Sequence, residues 1–312
     1  MSQRTKFCSL FLSHCLAERI GTYNGHTGAV WHLDVDYSSQ YLLSGAADMT
    51  ARLWHVESGE LLATYMHDRP VRGVAFQHGP ALAGRSRHFV TVSDQVMGTA
   101  PKVLLYRLPA REGDELSTDA VRSIVGWSSS TRITTAAWGP EDATIIVSGE
   151  DGMIVVYDSE TGSELRRLQA HSKSIRDLKF DSQQQLFFMT ASVDTTAKIW
   201  DTRSLELMQT YDTGRSINCC SISSSHDHVA LAGGQEAVDV ALTRVDPAQF
   251  HTRIWHRSLA VELGQIPGHF GPVNTVSYSP DGKSLVTAGE DGYIRIHHLD
   301  ATEVERLEVE LN

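Results

Sequence analysis

Cysteine is scarce in this chain: Cys8, Cys15, Cys219 and Cys220 are all that 312 residues contain. No two stand in C-x-x-C spacing, so a thiolate zinc site has no support. Cys219 and Cys220 are adjacent and make an awkward pair for each other, which fits a reducing compartment with inert thiols. Basic charge is also short. Lys and Arg number 27 against 38 Asp and Glu, a formal net charge of −11. Grip on a phosphate backbone draws on clustered Lys and Arg, and no stripe of basic and aromatic residues stands here, so no direct nucleic-acid contact is expected. Apolar runs are short, and none has the length of a membrane-spanning helix. No N-x-S/T glycan acceptor and no amphipathic helix of any length are found, and a cytoplasmic location is expected. Arg4 and Lys6 do precede an apolar run from Phe7 to Ala17, but Ser9, Ser13 and His14 interrupt it, which argues against a secretory signal.

What remains is a chain that is 41% hydrophobic, enough for a sizeable core, cut into many short strands. Ala170 to Asp201, AHSKSIRDLKFDSQQQLFFMTASVDTTAKIWD, carries the pattern best. Ile175 to Phe180, Leu186 to Ala191 and Ala197 to Trp200 read as strands, with Asp181 to Gln184 as a turn. A fourth run, Leu205 to Tyr211, follows. Polar residues stand at fixed points among them: His171, Thr190, Asp194, Trp200. The pattern recurs at His26, Ser44, Asp48 and Trp54, and again at His269, Thr287, Asp291 and His297. In each copy the Asp comes four residues after the hydroxyl residue and the ring comes ten after it. An Asp accepts bonds from a His and from turn amides. A hydroxyl accepts from an indole N–H while donating onward. Such a network stiffens a sheet when every member is satisfied.

Six units follow from this period. The first runs from Arg19 through Val30–Val35, Tyr41–Gly45 and Ala51–Trp54. The second runs from Leu61 past His67 to Tyr106 and is degenerate, with Tyr106-Arg107 in the Trp-Asp place and loops over Gly79–Arg87 and Ala110–Asp119. The third, about Ser123 to Asp158, has Val147 in the hydroxyl place and Tyr157 in the ring place, so its network is expected to be incomplete. The fourth is the stretch above. The fifth diverges most, with GGQEAVDV at Gly233–Val240 and an insertion around Arg244–His251. The sixth runs from Val261 to Asp300. Repeated units of three or four short strands predict an all-β chain of the WD-repeat β-propeller class, whose units stack because none buries its faces alone. The expected division is 1–18 as an unmatched leader, 19–300 as the repeat domain, and 301–312 as an acidic tail. Val304 to Leu311 largely alternates apolar with charged residues, the pattern of one more strand. Arg19–Tyr23 is expected to complete the sixth sheet and cover its edge.

Catalysis is not expected. His26, Ser44 and Asp48 resemble a hydrolase triad, but the set occurs three times and no G-x-S-x-G elbow exists. Gly282-Lys283-Ser284 lacks the glycine a phosphate loop needs five residues earlier, and Pro280-Asp281-Gly282 reads as a β-turn. His297 and His298 are neighbours on a strand and point to opposite faces, so they do not form a chelating pair. No metal and no cofactor is expected.

GTYNGHTGAVW (Gly21–Trp31), SGAADMTARLW (Ser44–Trp54), TTAAWGP (Thr134–Pro140), TASVDTTAKIWD (Thr190–Asp201), DHVALAGGQEAVDV (Asp227–Val240) and the segment GHFGPVNTVSYSPDGKSLVTAGEDGYIRIHHLD (Gly268–Asp300) together resemble the subunit I family of eukaryotic translation initiation factor three. The general repeats are weakly specific; GGQEAVDV joined to GHFGPVN is much more so. The resemblance covers about Arg19 to Asp300. That family has seven blades against six units here, and its first unit has no match in Met1–Ala17. The resemblance implies a non-catalytic scaffold in the factor three complex, supporting recruitment of messenger RNA to the small ribosomal subunit. It implies subunits B and G as partners, no membrane, and only indirect ribosome contact. The former would dock a C-terminal helix on the fourth and fifth units, with Asp201, Tyr211, Asp212 and Arg215 as candidate contacts. The alternative is a scaffold in receptor-kinase signalling or RNA processing, since such WD-repeat proteins carry similar GHFGP and GEDG segments; GGQEAVDV favours the translation factor.

Overall fold

A computed structural model describes residues 9–12, 19–77, 87–95, 100–108, 116–124, 126–127, 131–181, 185–234 and 250–299. Most of GGQEAVDV and of the insertion after it, the tail 301–312 and the greater part of the two loops of the second unit lie outside the described residues. The chain divides into two compact units, Met1–Ala170 and His171–Asn312. Apart from one 3-10 turn at Pro140–Asp142, the regular structure is β.

In the first unit, β1 (Ser9–Leu12) pairs antiparallel with β2 (Arg19–Tyr23). Blade 1 is β3 (Val30–Val35), β4 (Tyr41–Ala46), β5 (Thr50–His55) and β6 (Leu61–Met66). Blade 2 is β7 (Val71–Phe76), β8 (His88–Ser93), β9 (Val103–Arg107) and β10 (Arg122–Ile124). Blade 3 is β11 (Ile133–Trp138), β12 (Thr144–Gly149), β13 (Met153–Asp158) and β14 (Glu164–Gln169). In the second unit, blade 4 is β15 (Ile175–Phe180), β16 (Phe187–Ser192), β17 (Thr196–Asp201) and β18 (Leu207–Asp212). Blade 5 is β19 (Ile217–Ile222), β20 (His228–Gly233), β21 (Thr252–His256) and β22 (Glu262–Ile266). Blade 6 has three strands among the described residues, β23 (Val273–Tyr278), β24 (Ser284–Gly289) and β25 (Ile294–His298). Every blade is an antiparallel meander.

Two boundaries differ from the sequence reading. Arg19–Tyr23, expected in the sixth sheet, pairs with Ser9–Leu12, so part of the leader supplies a strand of its own. Arg122–Ile124, placed at the start of the third unit, is the outer strand of blade 2, paired with β9. The repeat and the blade are out of phase: a sequence unit begins with the outer strand of one blade and continues into the next.

The second strand of each blade lies between two others with sheet packed on its faces. It is therefore buried almost throughout, as in β12 (TIIVSG) and β20 (HVALAG), and reads as an apolar run rather than an alternation. Where blades crowd, side chains shrink. A Cβ on Gly45 would stand 2.9 Å from Val71 Cγ1 of the next blade. Side chains outside the repeated network also pin neighbours together. Phe76 N–H donates to Asp34 Oδ2 at 2.6 Å, Cys220 N–H to Asp177 Oδ2 at 3.1 Å, and Trp138 Nε1–H to Ala75 O at 3.1 Å. Cys219 and Cys220 are buried free thiols, pushed well up by burial, and are inert on that ground.

Candidate functional site

The repeated polar residues meet as their spacing requires. The hydroxyl residue lies on the second strand, the ring residue opposite on the third, the Asp in the tight turn between them, and the His in the link that enters the blade. In blade 4, Trp200 Nε1–H donates to Thr190 Oγ1 at 3.0 Å, and Thr190 Oγ1 lies 2.8 Å from His171 Nε2. His171 Nδ1 lies 3.0 Å from Asp194 Oδ2. Each donor finds one acceptor only if His171 carries its proton on Nδ1, so the network selects the neutral tautomer. Asp194 also accepts from the amides of Ser172 and Thr196 and from the Thr196 hydroxyl. Blade 1 repeats the chain with Trp54, Ser44, His26 and Asp48 at 2.9, 2.6 and 2.9 Å. In blade 6, His297 takes the indole's place at 3.2 Å from Thr287 Oγ1, and His269 joins Thr287 to Asp291.

Burial pushes all three carboxyls up, yet the bonds they accept outweigh it and hold Asp48, Asp194 and Asp291 at about 2. Burial lowers His26 and His171 against the pull of their Asp partners. These histidines are locked in place, and the same arrangement stands at three separate blades. A nucleophile needs a reachable substrate; Ser44 and Thr190 are 1% and 0% exposed. The networks are structural. The Pro280-Asp281-Gly282 reading also holds: Gly282 N–H donates to Ser279 O at 2.8 Å, with φ at +68°. His297 and His298 diverge, one to Thr287 and the other to Ser284. Among the described residues, no group of three or more His, Cys, Asp or Glu is placed to hold a metal.

The family model EIF3I matches residues 2–306. The chain belongs to the EIF3I family. "Eukaryotic translation initiation factor 3 subunit I" of Xenopus laevis is 40% identical over 283 residues, covering 91% of this chain and 84% of that protein. The human protein of the same name is 39% identical over the same shares, and that of Culex quinquefasciatus 37% over 289 residues, 92% of this chain and 86% of its own length. A chain in the "Crystal Structure of Mitotic Checkpoint Complex" superposes with a TM-score of 0.72, covering 93% of this chain and 81% of its own, at 16% identity. That last likeness carries the fold alone.

For an EIF3I-family chain the surface matters more than the networks. The four candidate contacts lie in or beside blade 4, but not at one point. Asp201 ends β17 and accepts from the amides of Ser204 and Arg203, at 2.7 and 3.0 Å, which lowers its carboxyl. Asp212 lies at the other end of the β17–β18 hairpin, opposite Thr196, and accepts from Gly214 N–H at 3.0 Å. Tyr211 is 0% exposed: its hydroxyl donates to Arg257 O at 2.5 Å and its ring meets Trp255 edge-on. It ties blade 4 to blade 5 from inside and offers no surface. Arg215 donates to His251 O, and burial lowers it to about 10. The sequence reading passed over the apolar residues beside Asp201. Leu186, Leu207 and Met208 are 51%, 49% and 59% exposed. Thr202 N–H donates to Leu186 O, and Leu207 pairs with Trp200. The turn of blade 5 that adds exposed Leu259 lies against them, joined by Gln209 Nε2–H to Ser258 O at 3.0 Å. Their signal was in the sequence: Leu207 and Met208 are consecutive apolar residues where an outer strand should turn one face to water.

Proposed function

We propose that the chain is a non-catalytic scaffold subunit of the translation initiation factor 3 complex, acting in the cytoplasm to help bring messenger RNA to the small ribosomal subunit through protein contacts. The observation that carries this reading is family membership over nine-tenths of the chain. The partners are the factor's other subunits, with B and G foremost, and ribosome contact is indirect. The former contributes an amphipathic helix, and its docking surface is the outer end of blade 4 with the adjoining turn of blade 5. What supports this is the cluster of Leu186, Leu207, Met208 and Leu259 beside the Asp201 carboxylate. Apolar side chains with an acidic rim suit a helix that has one apolar face and basic flanks. Asp212 is held as a second, outlying contact.

The test is affinity purification of the tagged protein from its own cells, with mass spectrometry of what is recovered. Recovery of the other factor 3 subunits is expected, and their absence overturns the reading. Asp201→Lys with Asp212→Lys, and separately Leu207→Asp, should each weaken binding of the partner's helix by on the order of tenfold or more. Unchanged affinity in both removes this surface.

A further inference from the structure

Blade 6 is the blade whose third strand has no outer neighbour among the described residues. In three other blades the corresponding residue at the entry of the third strand is sealed: Ala51, Ile154 and Ala197 are each 0% exposed. The register puts Ile294 in that place, opposite Ala288, and it is 42% exposed. β25 thus offers a bare row of backbone groups beside a half-uncovered apolar face, an edge that folded proteins normally cover.

We infer that the chain's own tail fills this edge, as the fourth, antiparallel strand of blade 6, with Val309 opposite Ile294, Glu308 opposite Arg295 and Leu307 opposite Ile296. The linkage is of the right length. In blades 1, 3, 4 and 5, five residues join the third strand to the fourth. A strand that begins at Glu305 needs six after His298, and the sequence continues to Asn312. The tail strictly alternates from Leu307 to Leu311, which suits an outer strand with one face buried, as in β6, where Ala63 and Tyr65 are buried and Met66 is exposed. The charges match as well. Directly opposed residues of an antiparallel pair share a face. This register sets Leu307 and Val309 against the two isoleucines. It sets Glu308 and Glu310 on the face where β25 carries Arg295 and His297. Shifting by one residue would place Glu308 against Ile294 and Leu307 against Arg295.

Hydrogen exchange of the full chain, read by mass spectrometry over Ile294–His298, tests this. Leu307→Lys with Val309→Lys should speed exchange there by on the order of tenfold, while Glu310→Lys, on the solvent face, should not. The engineered pair Ile294→Cys with Val309→Cys should oxidise to a disulfide inside one chain, and Ile294→Cys with Glu308→Cys should not. Equal exchange rates in wild type and the double lysine variant overturn the proposal. So does protection that rises with protein concentration, which would assign the edge to a second copy.

Discussion

Blades 2 and 4 carry a histidine at the same point of the same strand pattern, and only one of the two is satisfied. His171 is 2% exposed and bonded at both ring nitrogens. His67 is 8% exposed and has no partner on either nitrogen among the described residues. The register equates Thr91 with Thr190 and Tyr106 with Trp200. Yet Tyr106 follows Thr91 by fifteen positions rather than ten, and Gln95 stands where the turn Asp belongs. Asp94 is one place early and serves Arg72 at 2.9 Å and Arg132 at 3.7 Å instead. Blade 2 folds all the same, with Tyr65, Phe76, Phe89 and Tyr106 packed among its core. Apolar periodicity builds a blade; the polar network is an addition that fixes its turn and stiffens it.

The sharpest break of that comparison is at the carboxylates. Asp194→Ala leaves His171 Nδ1–H and two turn amides without their acceptor in a nearly dry site, and should cost about 3 kcal/mol. Asp94→Ala removes partly exposed ion pairs and should cost about 1 kcal/mol or less. Urea unfolding of both variants checks this; equal losses would mean that the network contributes no more than a surface bridge.

The architecture was legible in the sequence because it rests on spacing. The four-and-ten interval after Ser44, Thr190 and Thr287 located three networks to the residue, and Val147 announced the incomplete one. Other features were hidden for physical reasons. Asp34, Asp177 and Trp138 bond across from one blade to the next, and no period within a unit encodes a partner 42, 43 or 63 residues away. Arg122–Ile124 follows a long irregular link and is three residues long, too short for alternation to show. Tyr211 reads as a contact residue by its type, and its burial follows from the approach of Arg257 and Trp255, which only the assembled pair of blades reveals.

The hydroxyls give a finer cut. Thr190→Val keeps the shape but removes the acceptor of the Trp200 N–H and the group beside His171 Nε2, and should cost about 2 kcal/mol. Thr91 is equally buried, and its Oγ1 has no partner in bonding geometry among the described residues, although the Tyr106 hydroxyl feels its presence. Thr91→Val should therefore be neutral to within about 0.5 kcal/mol, since at most a marginal contact goes and a buried polar atom goes with it. A thermal unfolding series on the two variants measures the difference, and a Thr91→Val loss as large as that of Thr190→Val would show blade 2 to be networked after all.

The smallest effect is also the one with a sign that intuition gets wrong. Replacing a buried histidine of a repeated network ought to harm the blade, as His171→Leu should. His67→Leu should instead stabilise by about 1 kcal/mol, because it exchanges two unsatisfied buried nitrogens for an apolar side chain beside Tyr106. The same variant should change the pH profile. Burial, aided by the Lys102 charge and opposed by Asp68, lowers His67 to about 4. Its folded pKa lies below the unfolded value of about 6.5, so the unfolded chain takes up the proton first. Stability is then lost as pH falls from about 6.5 to 4, and that loss is complete below 4. The carboxylates act in a separate window: Asp48, Asp194 and Asp291, held at about 2, give stability that is intact above about 4 and lost as pH falls toward 2. His67→Leu should flatten the upper window and leave the lower one alone. His26 and His171, also lowered by burial, keep part of the upper slope in place. An unchanged slope between pH 6.5 and 4 would mean that His67 is solvated or paired in solution, and blade 2 would then differ from blade 4 in sequence but not in satisfaction.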